Sequence, residues 1–466
     1  MRKLFLLMMS LLLSQAALAG NEFILNGMKY TILDETSVSV EKLHSNDTKR
    51  KGKLVIPQSV KHDGKTYIVT KVDSWGFFGN EGVTEIQFPP TLTTIGMFAF
   101  CKTGISSLTL PEATLDIGSA AFENCQKLSS VKLPSQLTVL QDRVFQECTA
   151  LEHIDLPQGI THIGGSAFSG SGLKEITLPE NVSSLGGYCF AYSKNLESIS
   201  LPGKLTTLGN NVFAGCEALK AITLPEGVKK LGQEVFNYCP NLETLNLPAS
   251  LEEIASSPFA SCKKLKNINL PPGSKNFKLV GGVLYTFDMK HLIGAPINLN
   301  VGDFTVPETV EYIAPLAFYS NQSLTSLKMT SVKEIGQSAF NDCYNLATLD
   351  LGNSIIYISK HAFYSCRSLT EITLPKSLKE TGIGSFDFCT GLKQVYLFEP
   401  FASNEEYFNN VLFDFCDSGL RFIITAEDGK KRTIGYGDLY DYKARFRRHH
   451  DNIREIPDGK DIRILE

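Results

Sequence analysis

The sequence predicts a β-rich solenoid built from units of 22 or 23 residues, with a β cap at its N-terminal end and a small α/β cap at its C-terminal end. Three observations predict it. A phenylalanine recurs at a fixed period, at 77, 100, 122, 145, 168, 190, 213, 236 and 259, and again at 318, 340, 363 and 386. A frame of alternating aliphatic residues ending in proline travels with it, as in "LKEITLPENVSSLGGYCF" at 173–190 and "LTEITLPKSLKETGIGSF" at 369–386. The composition, 43% hydrophobic and 20% charged over 466 residues, supports a buried core and excludes a disordered chain.

The first segment, residues 1–19, reads as a signal peptide. Arg2 and Lys3 start it, "LFLLMMSLLL" is its apolar stretch, and Ala17-Leu18-Ala19 offers the small residues for cleavage after Ala19. The stretch is short for a membrane span, and no second long apolar run follows. No Cys stands at the cleavage point to carry a lipid. These features predict a protein exported in soluble form, secreted or held at the cell surface, with the periplasm as a third destination.

Residues 20–70 hold "FILNGMKYTIL", "GKLVIP" and "GKTYIVTKV", alternating segments separated by Gly and polar residues. They predict the N-terminal β cap, because the outer end of a repeat stack must present a polar face to water. Residues 71–271 and 307–420 carry the repeats, about 13 in all. In each, an Ile-x-Leu segment alternates as a short strand with one buried face should. Proline cannot donate to a ladder and ends the strand, and Gly permits the turn that follows. One unit cannot bury its apolar face alone, so the copies must stack.

The step of 59 between Phe259 and Phe318 contains residues 272–306, with "NFKLVGGVLYTFDMKHLIGAP". This predicts two apolar strands around the polar turn "FDMKH", a hairpin-type repeat that continues the solenoid. Phe413 with Cys416 marks a worn final copy. Residues 421–466 predict the C-terminal cap: a strand at "LRFIIT", a short helix at "GDLYDYKARFRRHHDNI" and a strand at "IREI".

The Leu-x-x-Ile-x-Leu-Pro and Ala-Phe-x-x-Cys elements, with Ala before the Phe at 99, 121, 167, 317, 339 and 362, carry a resemblance. Over roughly residues 20–466 the chain resembles the bacterial BspA-type leucine-rich repeat family. The resemblance implies a curved leucine-rich-repeat solenoid. It also implies a surface or secreted protein of the kind implicated in adhesion to host proteins and to other cells.

Eight of the 11 cysteines sit three residues after a repeat Phe: Cys125, Cys148, Cys216, Cys239, Cys262, Cys343, Cys366 and Cys389. Asn80, Ser193 and Asn321 occupy the same slot in other copies. One fixed phase of a solenoid lines one column. Units stacked about 5 Å apart bring some pairs within bridging reach, but parallel Cβ vectors favour buried free thiols behaving as small hydrophobes. No C-x-x-C pair occurs, which argues against zinc.

The remaining candidates for chemistry are weak. His153 should face outward on its strand, and His162 sits on a linker. His449 and His450 before Asp451 read as a solvated helix face rather than a metal site. No H-E-x-x-H, G-x-S-x-G, P-loop or G-x-G-x-x-G is present, and "GGSAFSGSG" at 164–172 is an ordinary repeat turn. The net charge of −4, with only +2 across 421–466 despite "KARFRRHH", argues against a nucleic-acid partner.

The outward strand positions read directly from the alternation. They are His153/Asp155, Glu175/Thr177, Ser198/Ser200, Ala221/Thr223, Thr244/Asn246, Asn267/Asn269, Ser326/Lys328, Thr348/Asp350, Glu371/Thr373 and Gln394/Tyr396. This face is small, polar and mixed in charge. It lacks the two placed carboxylates of a sugar-cleaving site. Tyr188, Tyr192, Tyr238, Tyr319, Tyr344, Tyr357 and Tyr364 flank repeat Phe positions, where partial burial against loops is expected.

The sequence therefore predicts a non-enzymatic exported binding protein. Its expected partners are host extracellular or bacterial surface proteins, met along the repeat surface. A glycan-binding module and a structural cell-envelope protein without a discrete ligand are the alternatives. No catalytic, cofactor-binding or metal-ligating residue is assigned.

Overall fold

The computed structural model describes residues 21–43, 50–398 and 412–435. The expected signal peptide at 1–19, the charged stretch with His449 and His450, and the expected helix and last strand of the C-terminal segment lie outside the described residues. Two compact units divide the chain, Met1–Leu219 and Lys220–Glu466. The described residues form a β-solenoid without helices, of about 15 turns.

In the first unit six strands precede the periodic part: β1 (Glu22–Leu25), β2 (Met28–Ile32), β3 (Ser37–Lys42), β4 (Gly52–Val55), β5 (Ser59–His62) and β6 (Lys65–Val72). β1–β2 and β5–β6 are hairpins closed by Asn26-Gly27 and Asp63-Gly64. All four turn residues have positive φ, the geometry that Asn-Gly and Asp-Gly supply at low cost. β6 runs parallel to Thr94–Ile95, and β4 runs parallel to Val83–Gln87. The segment thus joins the stack as a turn of its own, without a phenylalanine to mark it in the sequence.

A full repeat then contributes three rungs. The Ile-x-Leu segment forms the expected long strand, as where Glu175–Thr177 pairs in parallel with Ser198–Ser200. The segment read as a linker forms a second, two-residue parallel ladder: Val139–Leu140, His162–Ile163, Ser184–Leu185 and Thr207–Leu208 pair in order. The third rung is the corner around the phenylalanine. There Ala120, Phe122 and Asn124 donate their amides to the carbonyls of Asp142, Val144 and Gln146 at 2.8, 3.1 and 2.7 Å. Ala120 and Asn124 have φ of 56° and 58°, with the same two slots left-handed in copy after copy. Alternating handedness turns the amides of every second residue toward the next turn.

The Gly of Ile-Gly has a different cause from the one expected. At Gly186 φ is not positive; a Cβ there would stand 2.4 Å from the Gly165 amide nitrogen of the preceding turn. Close approach between turns, not turn conformation, demands glycine. The left-handed positions flank the phenylalanine and are filled mostly by non-glycine residues, with glycine in a few copies as at Gly79, Gly170, Gly215 and Gly384.

The phenylalanines form the core. From Phe77 to Phe213 every repeat Phe is fully buried, and neighbouring rings stack with centroids 5.5–5.9 Å apart. In the second unit Phe318, Phe340, Phe363, Phe386 and Phe413 stack at 5.1–5.5 Å. Offset aromatic pairs contribute about 0.5–1.5 kcal/mol each beyond the area they bury.

The stretch 276–296 holds three strands, not two: Phe277–Val280, Val283–Thr286 and His291–Gly294. The first turn is Gly281-Gly282, both at positive φ, which the sequence reading passed over. His291–Gly294 runs parallel to Tyr312–Ile313 and carries the short ladder on through Glu334–Ile335, Tyr357–Ile358 and Glu380–Thr381. The long strands run Ala221–Thr223, Thr244–Asn246, Asn267–Asn269, and a new ladder starts at Asp303–Thr305. At some ladder ends the inward residue is partly exposed, as at Val131 and Ile268, whereas Leu245 and Leu327 inside ladders are fully buried. Arg421–Thr425, the expected strand "LRFIIT", pairs in parallel with Gln394–Phe398 and forms a hairpin with Lys431–Gly435.

Candidate functional site

The long-strand face is built from side chains that the alternation turns outward. Glu175, Thr177, Ser198, Ser200, Ala221, Thr223, Asn267, Asn269, Thr348, Asp350, Glu371 and Thr373 are exposed, as expected. Thr244, Asn246, Ser326, Gln394 and Tyr396 are half-buried. His153 and Asp155 are exposed and bonded to each other at 3.1 Å, but no ladder forms around them. His162 lies on the short ladder, not on a linker, with Nδ1 3.1 Å from Ser184 Oγ.

Parallel register stacks like slots on like. In the second unit Asn246 Nδ2 donates to Thr223 Oγ1 at 2.8 Å, and Asn269 Nδ2 donates to Asn246 Oδ1 at 2.7 Å. Lateral bonds of this kind hold the polar side chains in fixed orientations and leave part of their hydrogen-bonding capacity facing solvent. Tyr396 donates to Gln394 Oε1 at 2.6 Å. Among the described residues no group of three or more His, Cys, Asp or Glu could hold a metal ion.

The cysteine slot is a hydrogen-bonding slot. Cys125, Cys148, Cys262, Cys343, Cys366 and Cys389 each donate Sγ–H to the carbonyl of the previous repeat's phenylalanine at 3.0–3.4 Å. Ser193 Oγ does the same to Phe168 at 2.9 Å. Cys416, which the sequence reading set apart, belongs to the series through the Phe386 carbonyl. All the cysteines are free thiols and all but the half-buried Cys416 are buried. Burial pushes the Cys125 thiol up to about 11 and that of Cys101 to about 12. The signal lay in the sequence: Ser, Asn and Cys share one property that a small hydrophobe lacks, a donor.

The corner is where the sequence reading missed exposed aromatic surface. Tyr188, Tyr192 and Tyr238 are exposed rather than packed under loops, while Tyr319, Tyr357 and Tyr364 are half-buried as expected. In the second unit Tyr364 lies against Phe388 and Phe388 stacks on Phe415, with centroids 5.0 and 4.5 Å apart, and Arg367 covers Tyr344 at 4.5 Å. In the first unit the one tryptophan of the chain, Trp75, is 49% exposed. Its slot was invisible beforehand because the left-handed corner has no counterpart in the alternation of a strand.

A family model for the BspA type leucine-rich repeat region matches residues 70–197, 183–279 and 297–418, well over half of the chain. The chain belongs to the BspA-type leucine-rich repeat family. Its fold is similar to that of a leucine-rich cell surface protein from Faecalibacterium prausnitzii A2-165, at 22% identity and TM-score 0.56, covering 90% of this chain and 96% of that one. A leucine-rich repeat protein from Bacteroides ovatus ATCC 8483 is 27% identical over 86% of this chain and 99% of that chain, with TM-score 0.47. The pneumococcal vaccine antigen PcpA is 22% identical over 88% of each chain, with TM-score 0.46. No curated protein matches the sequence.

BspA-type repeat proteins are typically structural or binding proteins rather than enzymes, and are typically exported. In this BspA-type protein no helix among the described residues is long and apolar enough to cross a membrane. The family repeat accounts for the Phe, Leu, Pro and Cys positions. It leaves the outward strand slots and the corner slots to vary.

Proposed function

We propose that this chain is an exported, non-enzymatic binding protein that recognises host extracellular or bacterial surface proteins through its long-strand face. One observation carries the reading: polar side chains of successive turns stand in parallel register, cross-bonded and half-facing water, as in the Thr223–Asn246–Asn269 row. A rigid row of this kind makes many weak contacts without an ordering cost at binding. Residues 1–19 act as a signal peptide removed after Ala19. The mild net acidity of the chain does not suit nucleic acid.

The test is binding of purified residues 20–466 to immobilised extracellular-matrix proteins, to cells and to polysaccharides. Saturable binding to a matrix or surface protein is expected, weakened when Asn246 and Asn269 are replaced together by Lys. Absence of saturable binding to every matrix protein overturns the reading.

A further inference from the structure

The first unit carries an exposed aromatic corner. Trp75 occupies the corner slot two residues before Phe77, with φ +63°. The left-handed φ belongs to the slot itself, which is left-handed in copy after copy. Other copies fill the slot with Ala120, Arg143, Ser166 and Asn211, so the fold does not need an aromatic there. Nor does the core use it: the ring is half-exposed, stacked on Phe98 at 4.3 Å and edge-on to Phe78 at 4.9 Å. The two phenylalanine rings fix the plane of the indole.

A cleft of about 400 Å³ opens beside this ring, lined by Lys29, Glu41, Lys42, Leu43, Trp75 and Phe78. Its volume is at the lower end of the roughly 300–1,000 Å³ of small-molecule sites. Lys29 Nζ lies 2.7 Å from Glu41 and 3.2 Å from Glu22, with both members of the Lys29–Glu41 pair partly exposed. The Lys42 ammonium is already engaged by the Phe78 carbonyl at 2.6 Å. The accessible chemistry is one held aromatic face with a carboxylate acceptor and an ammonium donor close together. An acidic ligand would meet Glu41 and Glu22, and a basic one would meet Lys29. A neutral polyhydroxyl ring matches all three parts: its C–H face lies on the indole, and adjacent hydroxyls donate to Glu41 and accept from Lys29.

We propose that the Trp75 cleft is a saccharide-binding subsite that takes one pyranose ring of a glycan chain. It is separate from the protein-binding reading of the long-strand face, and shares no residue with it.

Because Trp75 is the only tryptophan, its fluorescence reports the site in the unmodified protein. Residues 20–466 are titrated with tetrasaccharides of β-1,4-linked glucose, mannose, galactose and N-acetylglucosamine, and with poly-L-proline as the peptide competitor for an aromatic groove. The expected result is a saturable change in emission with at least one tetrasaccharide and none with poly-L-proline. Glu41→Gln and Lys29→Met should weaken it about tenfold, the change expected when a charge-assisted hydrogen bond is lost, with the far-ultraviolet dichroism unchanged. By calorimetry, Trp75→Phe should keep most of the affinity and Trp75→Ala should lose tenfold or more. Saturation by poly-L-proline alone, no saturable change with any tetrasaccharide up to about 10 mM, beyond the millimolar range of weak sites, or binding indifferent to Glu41→Gln and Lys29→Met each overturns the proposal. Loss of matrix-protein binding in the Asn246/Asn269 variant leaves this titration unaffected.

Discussion

At the scale of single residues, two side-chain slots explain most of what the repeat keeps. The phenylalanine slot is stability: Phe168 is fully buried between Phe145 and Phe190. Phe168→Ala should lower the free energy of unfolding by about 3–5 kcal/mol, read by urea denaturation. The cysteine slot closes a carbonyl. Cys148→Ser keeps a donor for the Phe122 carbonyl and should stay within about 1 kcal/mol of wild type, whereas Cys148→Val removes it and should cost more. The same thiols give a pH dependence. Burial raises the folded pKa of Cys125 to about 11 and raises those of Cys148 and Cys343 as well, above the roughly 8.5 of an unfolded cysteine. Stability from this source is therefore complete below about pH 8.5 and is lost as pH rises toward 11, because only the unfolded chain ionises freely. Under reducing conditions the urea midpoint should fall between pH 7.5 and pH 10, and Cys125→Ser should flatten that fall.

At the scale of elements, a turn of the solenoid is three ladders whose spacing is set by backbone contact. Alanine at Gly186 would press its Cβ against Gly165, so Gly186→Ala should cost about 1–3 kcal/mol as an overpacking substitution. Gly203 has open space around a Cβ and no positive φ. Gly203→Ala should be neutral or stabilise by up to about 1 kcal/mol through the unfolded chain. Thermal unfolding of the pair separates close approach from turn conformation as the reason for the glycines. The long strands were legible because alternation with one apolar face is a strong signal. The short ladder was not, because two residues are too few to show a period, and the three-stranded 276–296 stretch was half-legible because its Gly281-Gly282 turn lies inside an apolar run.

At the scale of the whole molecule, stability should follow nearest neighbours, since each turn touches mainly the turns beside it. Phe386→Ala should shift the transition followed by far-ultraviolet dichroism while leaving the transition followed by Trp75 fluorescence in place. Coincident shifts by both probes would show that the chain unfolds as one cooperative block. Binding should scale the same way. Single substitutions on the long-strand face should each change affinity a few-fold at most, with larger losses only when neighbouring rows are altered together.

The sequence by itself determined the period, the inward residues, the outward strand positions and the family. These follow from chemistry repeated every 22 or 23 residues, and repetition makes a weak local signal strong. Only the tertiary structure decided what happens between turns. It showed that the cysteine slot donates to the previous turn, that glycine is required by the neighbouring backbone, and that Trp75 stands exposed beside the Lys29–Glu41 pair. The physical reason is distance along the chain. Lys29, Glu41 and Trp75 belong to no common period, and only the folding of β2 and β3 against the first turns brings them to one cleft.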